Sequence, residues 1–278
     1  MLSLRSVVET GHSRVGGNLC DPSASIIVSG NSGSDSIFFG GGFAFDREIR
    51  AQFPDSTPNV TKNTIPGSTI WWRWDEDTEA KSGVSNYNSL IITHQSSLNV
   101  GLPQDQIDRF LNSCDTWVNH YWQNANNGNG DGKVWFWGTQ PRIVEPDYIG
   151  NARYRHEMWS RAQDRSNIKR PSGAPRVQLI TGYHAFQKMY EDHLAGETPY
   201  PEFWDDVYTG VFHVGDKGMY ASLVMHMACV FGVDPRNVTP QPDGLTLTLA
   251  ESEYIRQVCY EVMHWTERHG VDVTAWDN

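Results

Sequence analysis

Five short runs of β-forming residues alternate with helical patterns along this chain, and this alternation restricts the fold more than any other feature of the sequence. The clearest run is 90–93 (LIIT), an unbroken group of β-formers bounded by polar residues. Strands that alternate with helices predict a parallel sheet whose two faces are both covered. We therefore expect an α/β fold, a three-layer α/β/α sandwich around a parallel sheet of about five strands.

The predicted elements extend over most of the chain. The predicted strands are residues 6–10, 60–65, 90–93, 134–138 and 177–180. The apolar spacing predicts helices over residues 43–53 and 105–123, around Phe186 up to a C-terminal Gly196, over 216–231, and from Thr248 to about Gly270. Residues 21–42 are rich in Gly and Ser and are expected to be irregular. No internal repeat or domain boundary is visible, so residues 1–278 are expected to form a single domain.

The net charge of −11, from 22 Lys and Arg against 33 Asp and Glu, disfavours binding to nucleic acids and to anionic membrane surfaces. No run approaches the ~20 apolar residues of a membrane span. Residues 1–10 carry too short an apolar run for a signal peptide, so we expect a cytoplasmic protein and leave a secreted mature form open. The four cysteines form no Cys-x-x-Cys pair and the ten histidines lack metal-ligand spacing, so we expect no metal and no cofactor.

The tripeptide Gly-His-Ser at 11–13 directly follows the predicted strand 6–10. A serine can act as a nucleophile where a base takes its proton and N–H groups face the developing oxyanion. Ser13 is therefore a candidate nucleophile, and the alternative is that it caps a helix. Ligands bind beyond the carboxyl ends of parallel strands. Ser13, Gly67 and Gln95 each follow a predicted strand, so we expect them to share one rim of the sheet.

The segment 63–69 has the form Asn-x-x-x-Gly-x-Thr, with Gly67 at the glycine position. Together with Gly-His-Ser at 11–13, it resembles the SGNH, or GDSL-like, family of serine hydrolases, whose nucleophile lies in Gly-Asp-Ser after the first strand. The resemblance implies that Ser13 is the nucleophile and that the N–H groups of Ser13 and Gly67 form the oxyanion hole. His12 stands where the family has aspartate, and the alternative for Gly67 is an ordinary Pro-Gly turn.

A third block follows the predicted strand 90–93. Here His94, Gln95 and Asn99 resemble the His-Gln-x-x-x-Asn of the sialate O-acetylesterase-like branch of that family, rather than the usual Gly-x-Asn-Asp. The resemblance implies that the side-chain amide of Gln95 or Asn99 donates to the oxyanion, and we favour Gln95 because it lies nearer the strand end. The alternative is that both side chains satisfy backbone groups of the loop.

The last block of the family is Asp-x-x-His before a C-terminal helix, and His213 has this position ahead of the apolar helix 216–231. The resemblance implies that His213 is the general base. Gly210 occupies the aspartate position, so residues 205–206, both aspartates, or a nearby backbone carbonyl would have to support the imidazole. A Ser-His dyad is the simplest version, and a structural histidine is the alternative.

These resemblances imply an ester hydrolase that works through an acyl-enzyme intermediate. Trp71, Trp72 and Trp74 follow the Gly67 loop and favour a sugar as the alcohol, with a short acyl group such as acetyl. The expected partner is therefore a small-molecule or carbohydrate ester. The alternative is a catalytically weak or inactive SGNH-like protein that binds carbohydrate, since Gly210 and the altered third block depart from the family.

Overall fold

The structure of the protein is a computed structural model. It describes residues 19–94, 98–128, 131–143, 147–211 and 213–277. Among these residues, no helix combines the length and the apolar character that a membrane crossing requires.

One five-stranded sheet organises the described residues, and all of its strands are parallel. The strands are β1 (Ser25–Gly30), β2 (Asn59–Thr64), β3 (Ser89–Thr93), β4 (Lys133–Trp137) and β5 (Gln178–Ile180). Their order across the sheet is β2-β1-β3-β4-β5. The two edge strands are therefore β2 and β5, and β1, β3 and β4 are interior strands.

Helices connect the strands and cover both faces of the sheet. They are α1 (Ala44–Gln52), α2 (Ile70–Asp75), α3 (Glu79–Ser82), α4 (Gln104–Gly128), α5 (Tyr148–Ile168), α6 (Gly182–Ala195), α7 (Phe203–Val207), α8 (Asp216–Phe231) and α9 (Leu249–Met263). Short 3₁₀ helices lie at Ser32–Ile37, Val84–Asn86, Pro235–Asn237 and Val273–Trp276, and a helical turn lies at Phe39–Gly42.

The interior strands send alternate side chains into two separate hydrophobic cores. Ile91 and Trp135 point into the core shared with α1, α6, α8 and α9, whereas Ile92 and Phe136 point into the core shared with α4 and α5. This is the two-residue periodicity of a strand, with apolar residues on both faces. The three-layer α/β/α sandwich with a five-stranded parallel sheet is therefore confirmed.

Four of the five predicted strands match β2 to β5 within one residue at each end. The predicted strand 6–10 lies outside the described residues. The expectation that residues 21–42 are irregular is wrong, because this segment contains β1. Ile26, Ile27 and Val28 are fully buried there, and these β-branched side chains pack on both faces of the sheet. The flanking glycines and serines concealed this short apolar run.

Most helix predictions are confirmed. The αL conformation of Gly196 ends α6, and the capping box of Thr248 and Glu251 opens α9. The last helix ends at Met263, however, and not near Gly270. The apolar spacing of the sequence does not predict helix α5. This helix buries polar residues such as Arg155 and Gln163, and they obscure its apolar periodicity.

Candidate active site

The loops after β1, β2 and β3 meet at one edge of the sheet. Gly30 at the end of β1 lies opposite Thr64 at the end of β2, and Ser29 lies opposite Ile92 near the end of β3. Because the strands are parallel and in this register, the residues that follow them emerge side by side. This is the rim at which α/β proteins with parallel sheets bind their ligands.

The serine turn, residues 30–33, carries β1 into a 3₁₀ helix. Asn31 caps that helix, because its Oδ1 accepts a hydrogen bond of 2.8 Å from the N–H of Gly33. Gly30 has no room for a side chain, since a Cβ there would lie 1.7 Å from Oγ of Ser34. Ser32 is half-buried, and its hydroxyl makes no hydrogen bond to any described residue. The turn therefore presents, at the end of an interior strand, a serine hydroxyl that no residue of the described part of the chain engages.

The Gly67 loop, residues 65–69, follows β2 and lies against the serine turn. The N–H of Ile65 donates to the carbonyl oxygen of Gly30 at 2.8 Å, and Oγ of Ser68 donates to the carbonyl oxygen of Ile65 at 2.7 Å. Gly67 has φ +71°, a conformation that glycine adopts at little cost. The loop and Trp72 line a cavity of about 290 Å³. Gly67 therefore lies on the rim, beside the end of β1, and its role in an oxyanion hole stays a prediction.

His94, directly after β3, is a buried neutral histidine. Its Nδ1 accepts a hydrogen bond of 3.3 Å from the N–H of Ile70, and burial lowers its pKa to about 3, with help from the buried charges of Arg73 and Arg155. Its carbonyl oxygen accepts a hydrogen bond of 3.1 Å from Nδ2 of Asn31. The end of β3 is thereby joined to the serine turn.

Of the two side-chain amides predicted for the oxyanion hole, the described residues include only one. Gln95 lies outside the described residues. Asn99 is half-buried, and its Oδ1 accepts a hydrogen bond of 3.1 Å from Nη2 of Arg155. This bond orients the Asn99 amide, and its Nδ2 makes no hydrogen bond within the described ranges.

His213 lies in the segment between α7 and α8, and its side chain is exposed. Two contacts shape this segment: the N–H of Thr209 donates to the carbonyl oxygen of His213 at 3.0 Å, and Tyr208 pairs with Val214 in an isolated antiparallel bridge. The imidazole itself makes no hydrogen bond to any residue in the described ranges. The exposed imidazole is therefore accessible to a substrate from solvent.

The loop after β4, residues 138–143, lies between the serine turn and the His213 segment. On one side, Nε2 of Gln140 is 3.9 Å from the point where a Cβ on Gly33 would lie. On the other side, the N–H of Ile143 donates to the carbonyl oxygen of Val211 at 3.4 Å, and the hydroxyl of Tyr208 donates to the carbonyl oxygen of Pro141 at 3.0 Å. Helix α8, which follows His213, also packs against the 3₁₀ helix that begins at Ser32. The serine turn and the segment that carries His213 therefore border the same loop.

Neither of the two aspartates predicted as possible supports for His213 forms a hydrogen bond or an ion pair with it among the described residues. Asp206 pairs with Nζ of Lys217 at 3.0 Å and accepts a hydrogen bond of 3.1 Å from the N–H of Glu202. Asp205 is exposed, and Gly210 is also exposed. The Asp206 carboxylate is therefore bound at the start of α7 by the Glu202 N–H and from α8 by Lys217.

The nucleophile predicted from the sequence, Ser13, lies outside the described residues. The first strand of the described sheet is instead β1, and the serine that follows it is Ser32, in Gly-Asn-Ser at 30–32. This tripeptide differs from the Gly-Asp-Ser of the SGNH hydrolases only by asparagine in place of aspartate. The signal in the sequence is the apolar run 26–28, which ends two residues before Gly30 and lies within the segment expected to be irregular.

No group of three or more His, Cys, Asp or Glu side chains in the described ranges is arranged to hold a metal ion. The four cysteines are buried and unpaired, and burial raises the pKa of the Cys20 thiol to about 11. None of these four thiols is therefore a candidate nucleophile.

The protein is similar in fold to several solved structures. A DUF4886 family protein from Bacteroides uniformis ATCC 8492 superposes with a TM-score of 0.61 at 8% identity, over 87% of this chain and 95% of that chain. LAE5, an α/β hydrolase enzyme from the metagenome of Lake Arreo in Spain, gives 0.51 at 14% identity, over 74% and 94%. A catalytic mutant of Axe2, an acetylxylan esterase from Geobacillus stearothermophilus, gives 0.51 at 12% identity, over 73% and 92%.

These likenesses establish the α/β fold that the SGNH resemblance implied, and at such low identity they establish the fold alone. No protein-family model matches the chain, and no curated protein matches it. None of the three structures distinguishes the sialate O-acetylesterase-like branch, which stays a prediction.

Proposed function

We propose that this protein hydrolyses esters and that Ser32, rather than Ser13, is its nucleophile. The observation that carries the proposal is the position of Ser32 at the carboxyl end of β1, beside the Gly67 loop, with a hydroxyl that no described residue engages. The Gly-Asn-Ser at 30–32 also fits the family motif better than Gly-His-Ser at 11–13 does, because it follows a strand of the described sheet.

In this mechanism His213 removes the proton from Oγ of Ser32 as that oxygen attacks the acyl carbonyl carbon. The carbonyl π electrons move to the oxygen, and the N–H groups of Ser32 and Gly67 stabilise the resulting oxyanion, with Gln95 or Asn99 as a further donor. The tetrahedral intermediate collapses, the alcohol leaves with the proton from His213, and an acyl-serine remains. Water then attacks the acyl-serine with His213 again as the base, and the acid and the free serine are released.

The substrate proposed is the ester of a short acyl group, such as acetyl, with a carbohydrate. Of the three tryptophans after the Gly67 loop, Trp71 packs against Arg109 and Trp74 packs against Trp117. Trp72 is 40% exposed and lines the cavity of the Gly67 loop. A partly exposed indole beside polar groups is a suitable platform for a sugar ring.

A second candidate is a carbohydrate-binding protein with the same cleft and little or no catalysis. Its support is the absence of a carboxylate on His213 among the described residues, together with Gly210 in the aspartate position. An imidazole without such a partner loses tautomer control and stabilisation of its charged form.

Labelling with a fluorophosphonate tests both candidates, because this reagent phosphonylates an activated serine. The variants are Ser32→Ala and Ser13→Ala, each of which removes one hydroxyl and serves as the control for the other, together with His213→Ala. We expect labelling and hydrolysis of 4-nitrophenyl acetate by the unaltered protein and by Ser13→Ala. We expect both to be lost in Ser32→Ala and reduced at least 100-fold in His213→Ala.

The opposite pattern, with loss in Ser13→Ala only, would restore Ser13 as the nucleophile. No labelling of the unaltered protein, together with binding of xylo-oligosaccharide in calorimetry, would favour the carbohydrate-binding alternative. Equal activity in all the variants would contradict the proposal, because the hydrolysis would then come from another site.

A further inference from the structure

Arg73 is a fully buried cation directly behind the Gly67 loop, and the proposed chemistry does not use it. It lies in α2, the helix that begins just after the loop, and its side chain is 0% exposed. Its Nη1 donates to Oγ of Ser68 at 2.9 Å and to the carbonyl oxygen of Ser68 at 3.2 Å. Its Nη2 donates to the carbonyl oxygen of Thr93. One side chain thus bridges the loop after β2 and the end of β3.

Arg73 has no ionic partner among the described residues. No carboxylate there pairs with it, and its Nε is buried without a hydrogen-bond partner in the same ranges. Burial lowers its pKa to about 9. A buried charge without a counter-ion is costly, and only hydrogen bonds can compensate for its lost solvation. In this case all of its acceptors are neutral oxygens of the candidate site.

Ser68 extends this connection to the serine turn. While its Oγ accepts from Arg73, the same hydroxyl donates to the carbonyl oxygen of Ile65 at 2.7 Å and lies 3.5 Å from the carbonyl oxygen of Gly30. The guanidinium therefore holds the Gly67 loop directly against the end of β3. Through Ser68, the same loop is also held beside the end of β1. Hydrogen bonds from a charged donor are roughly twice as strong as neutral ones, and the planar fork of arginine fixes their directions.

We propose that Arg73 is a positioning residue that clamps the Gly67 loop to the end of β3 and thereby holds the N–H of Gly67 in the orientation that an oxyanion needs. This inference rests on the proposed function for the oxyanion, whereas the clamp itself is a property of the fold. A displacement of about 1 Å in a catalytic donor can reduce a rate about 100-fold. The clamp is therefore expected to affect kcat more than KM.

Amide hydrogen exchange of the loop is the first measurement, because it reports the clamp without any substrate. The variants are Arg73→Gln, which keeps N–H donors and removes the charge, and Arg73→Lys, which keeps the charge and loses the fork. The control is Met263→Ala, a core substitution at the end of α9 in the other hydrophobic core. We expect exchange over residues 65–70 to be at least 10-fold faster in Arg73→Gln, intermediate in Arg73→Lys and near the original rate in Met263→Ala.

Steady-state hydrolysis of 4-nitrophenyl acetate is the second measurement. We expect kcat to fall 10- to 100-fold in Arg73→Gln while KM changes less than about threefold, since only an interaction made in the transition state is lost. Arg73→Lys should recover part of kcat. If Arg73→Gln does not fold, Arg73→Lys carries both measurements, with smaller expected changes in the same direction.

Each result has a separate meaning. Exchange over 65–70 that is no faster in the Arg73 variants than in Met263→Ala would overturn the inference. Faster exchange with an unchanged kcat would also overturn it, because the clamp would then not serve the oxyanion. If the unaltered protein hydrolyses no ester, the proposed function fails, and the exchange measurement still decides whether Arg73 holds the loop.

Discussion

Asn31 donates a hydrogen bond from its Nδ2 to the carbonyl oxygen of His94, 3.1 Å away, and this bond joins the serine turn to the end of β3. The Oδ1 of the same side chain accepts from the N–H of Gly33 at 2.8 Å. One end of the amide therefore donates and the other accepts. An aspartate, which precedes the serine in the Gly-Asp-Ser of the SGNH hydrolases, offers only acceptors when it is ionised.

Asn31→Asp is expected to destabilise the protein by about 1–3 kcal/mol at pH 7, because a carboxylate oxygen would then face the His94 carbonyl oxygen. At low pH a protonated carboxyl can donate to that carbonyl, so the difference from the unaltered protein should shrink. Urea unfolding of both proteins at pH 7 and at pH 4.5 measures this change.

Asn31→Ser is the matched control, since serine keeps a cap for the 3₁₀ helix and brings no charge. Its loss of stability at pH 7 should be smaller, and the loss should not depend on pH. An Asn31→Asp variant as stable as the original at pH 7 would mean that the turn can rearrange around a carboxylate.

The positive φ of Gly67 predicts a second effect. A Cβ at this position would meet no atom within 4 Å, so the cost of Gly67→Ala comes from the backbone alone. We expect a loss of about 1–2 kcal/mol in unfolding free energy. We also expect a fall of about 100-fold in kcat for ester hydrolysis, because relief of the strain rotates the N–H away from the oxyanion.

Gly67→Asn provides the comparison, because asparagine adopts positive φ more readily than alanine does. It should retain more of both stability and activity than Gly67→Ala. If the two variants lose kcat equally, the bulk of the new side chain in the cavity, and not the backbone, limits the reaction.

Trp72 is expected to contribute to the binding of the sugar part of the substrate. Trp72→Ala should raise KM for an acetylated xylo-oligosaccharide about 10-fold, equivalent to about 1.4 kcal/mol of lost stacking, and should leave KM for 4-nitrophenyl acetate nearly unchanged. Initial-rate kinetics with both substrates measure the difference.

Trp265→Ala is the control for Trp72, since Trp265 is 42% exposed, close to the 40% of Trp72, and packs against His184 just after the edge strand β5. This variant should change neither KM. An equal rise in KM for both substrates in Trp72→Ala would mean that the indole supports the structure of the site and does not recognise the sugar.

Buried neutral histidines should make the protein sensitive to acid. Burial lowers the pKa of His94 and His184 to about 3 and that of His226 to about 4, from 6.5. Between pH 6.5 and pH 4 the unfolded chain therefore binds protons that the folded protein does not. Stability is fully present above pH 6.5 and falls as the pH is lowered, by up to about 1.4 kcal/mol per pH unit for each histidine.

His226→Leu removes one of these groups and should reduce the slope of unfolding free energy against pH, measured with urea between pH 6 and pH 4.5, by about 1.4 kcal/mol per unit. Phe45→Leu is the control, because Phe45 packs against the His226 ring and does not titrate. It should lower stability equally at each pH. An unchanged slope in His226→Leu would contradict the neutral state of the buried imidazole.

The sequence predicted the fold class well, because each of the strands β2 to β5 has its own local pattern. The run 90–93 is apolar throughout, as expected for a strand that is buried on both faces, and Asp216–Phe231 is apolar nearly all round, as expected for a helix inside a core. Gly196 and Thr248 mark helix ends by their own conformational and capping preferences. Such local signals act over a few residues and do not depend on the rest of the chain.

The site depended on contacts between distant segments, which no local pattern contains. Ser32 is a candidate nucleophile because it follows β1, an interior strand of the sheet between β2 and β3. Arg73 has no motif, and its role follows from hydrogen bonds to Ser68 and, 20 residues away in sequence, to Thr93. The sequence by itself determined the elements and the family resemblance, whereas the tertiary structure decided which loops meet, because strand order and register are set by packing across the whole sheet.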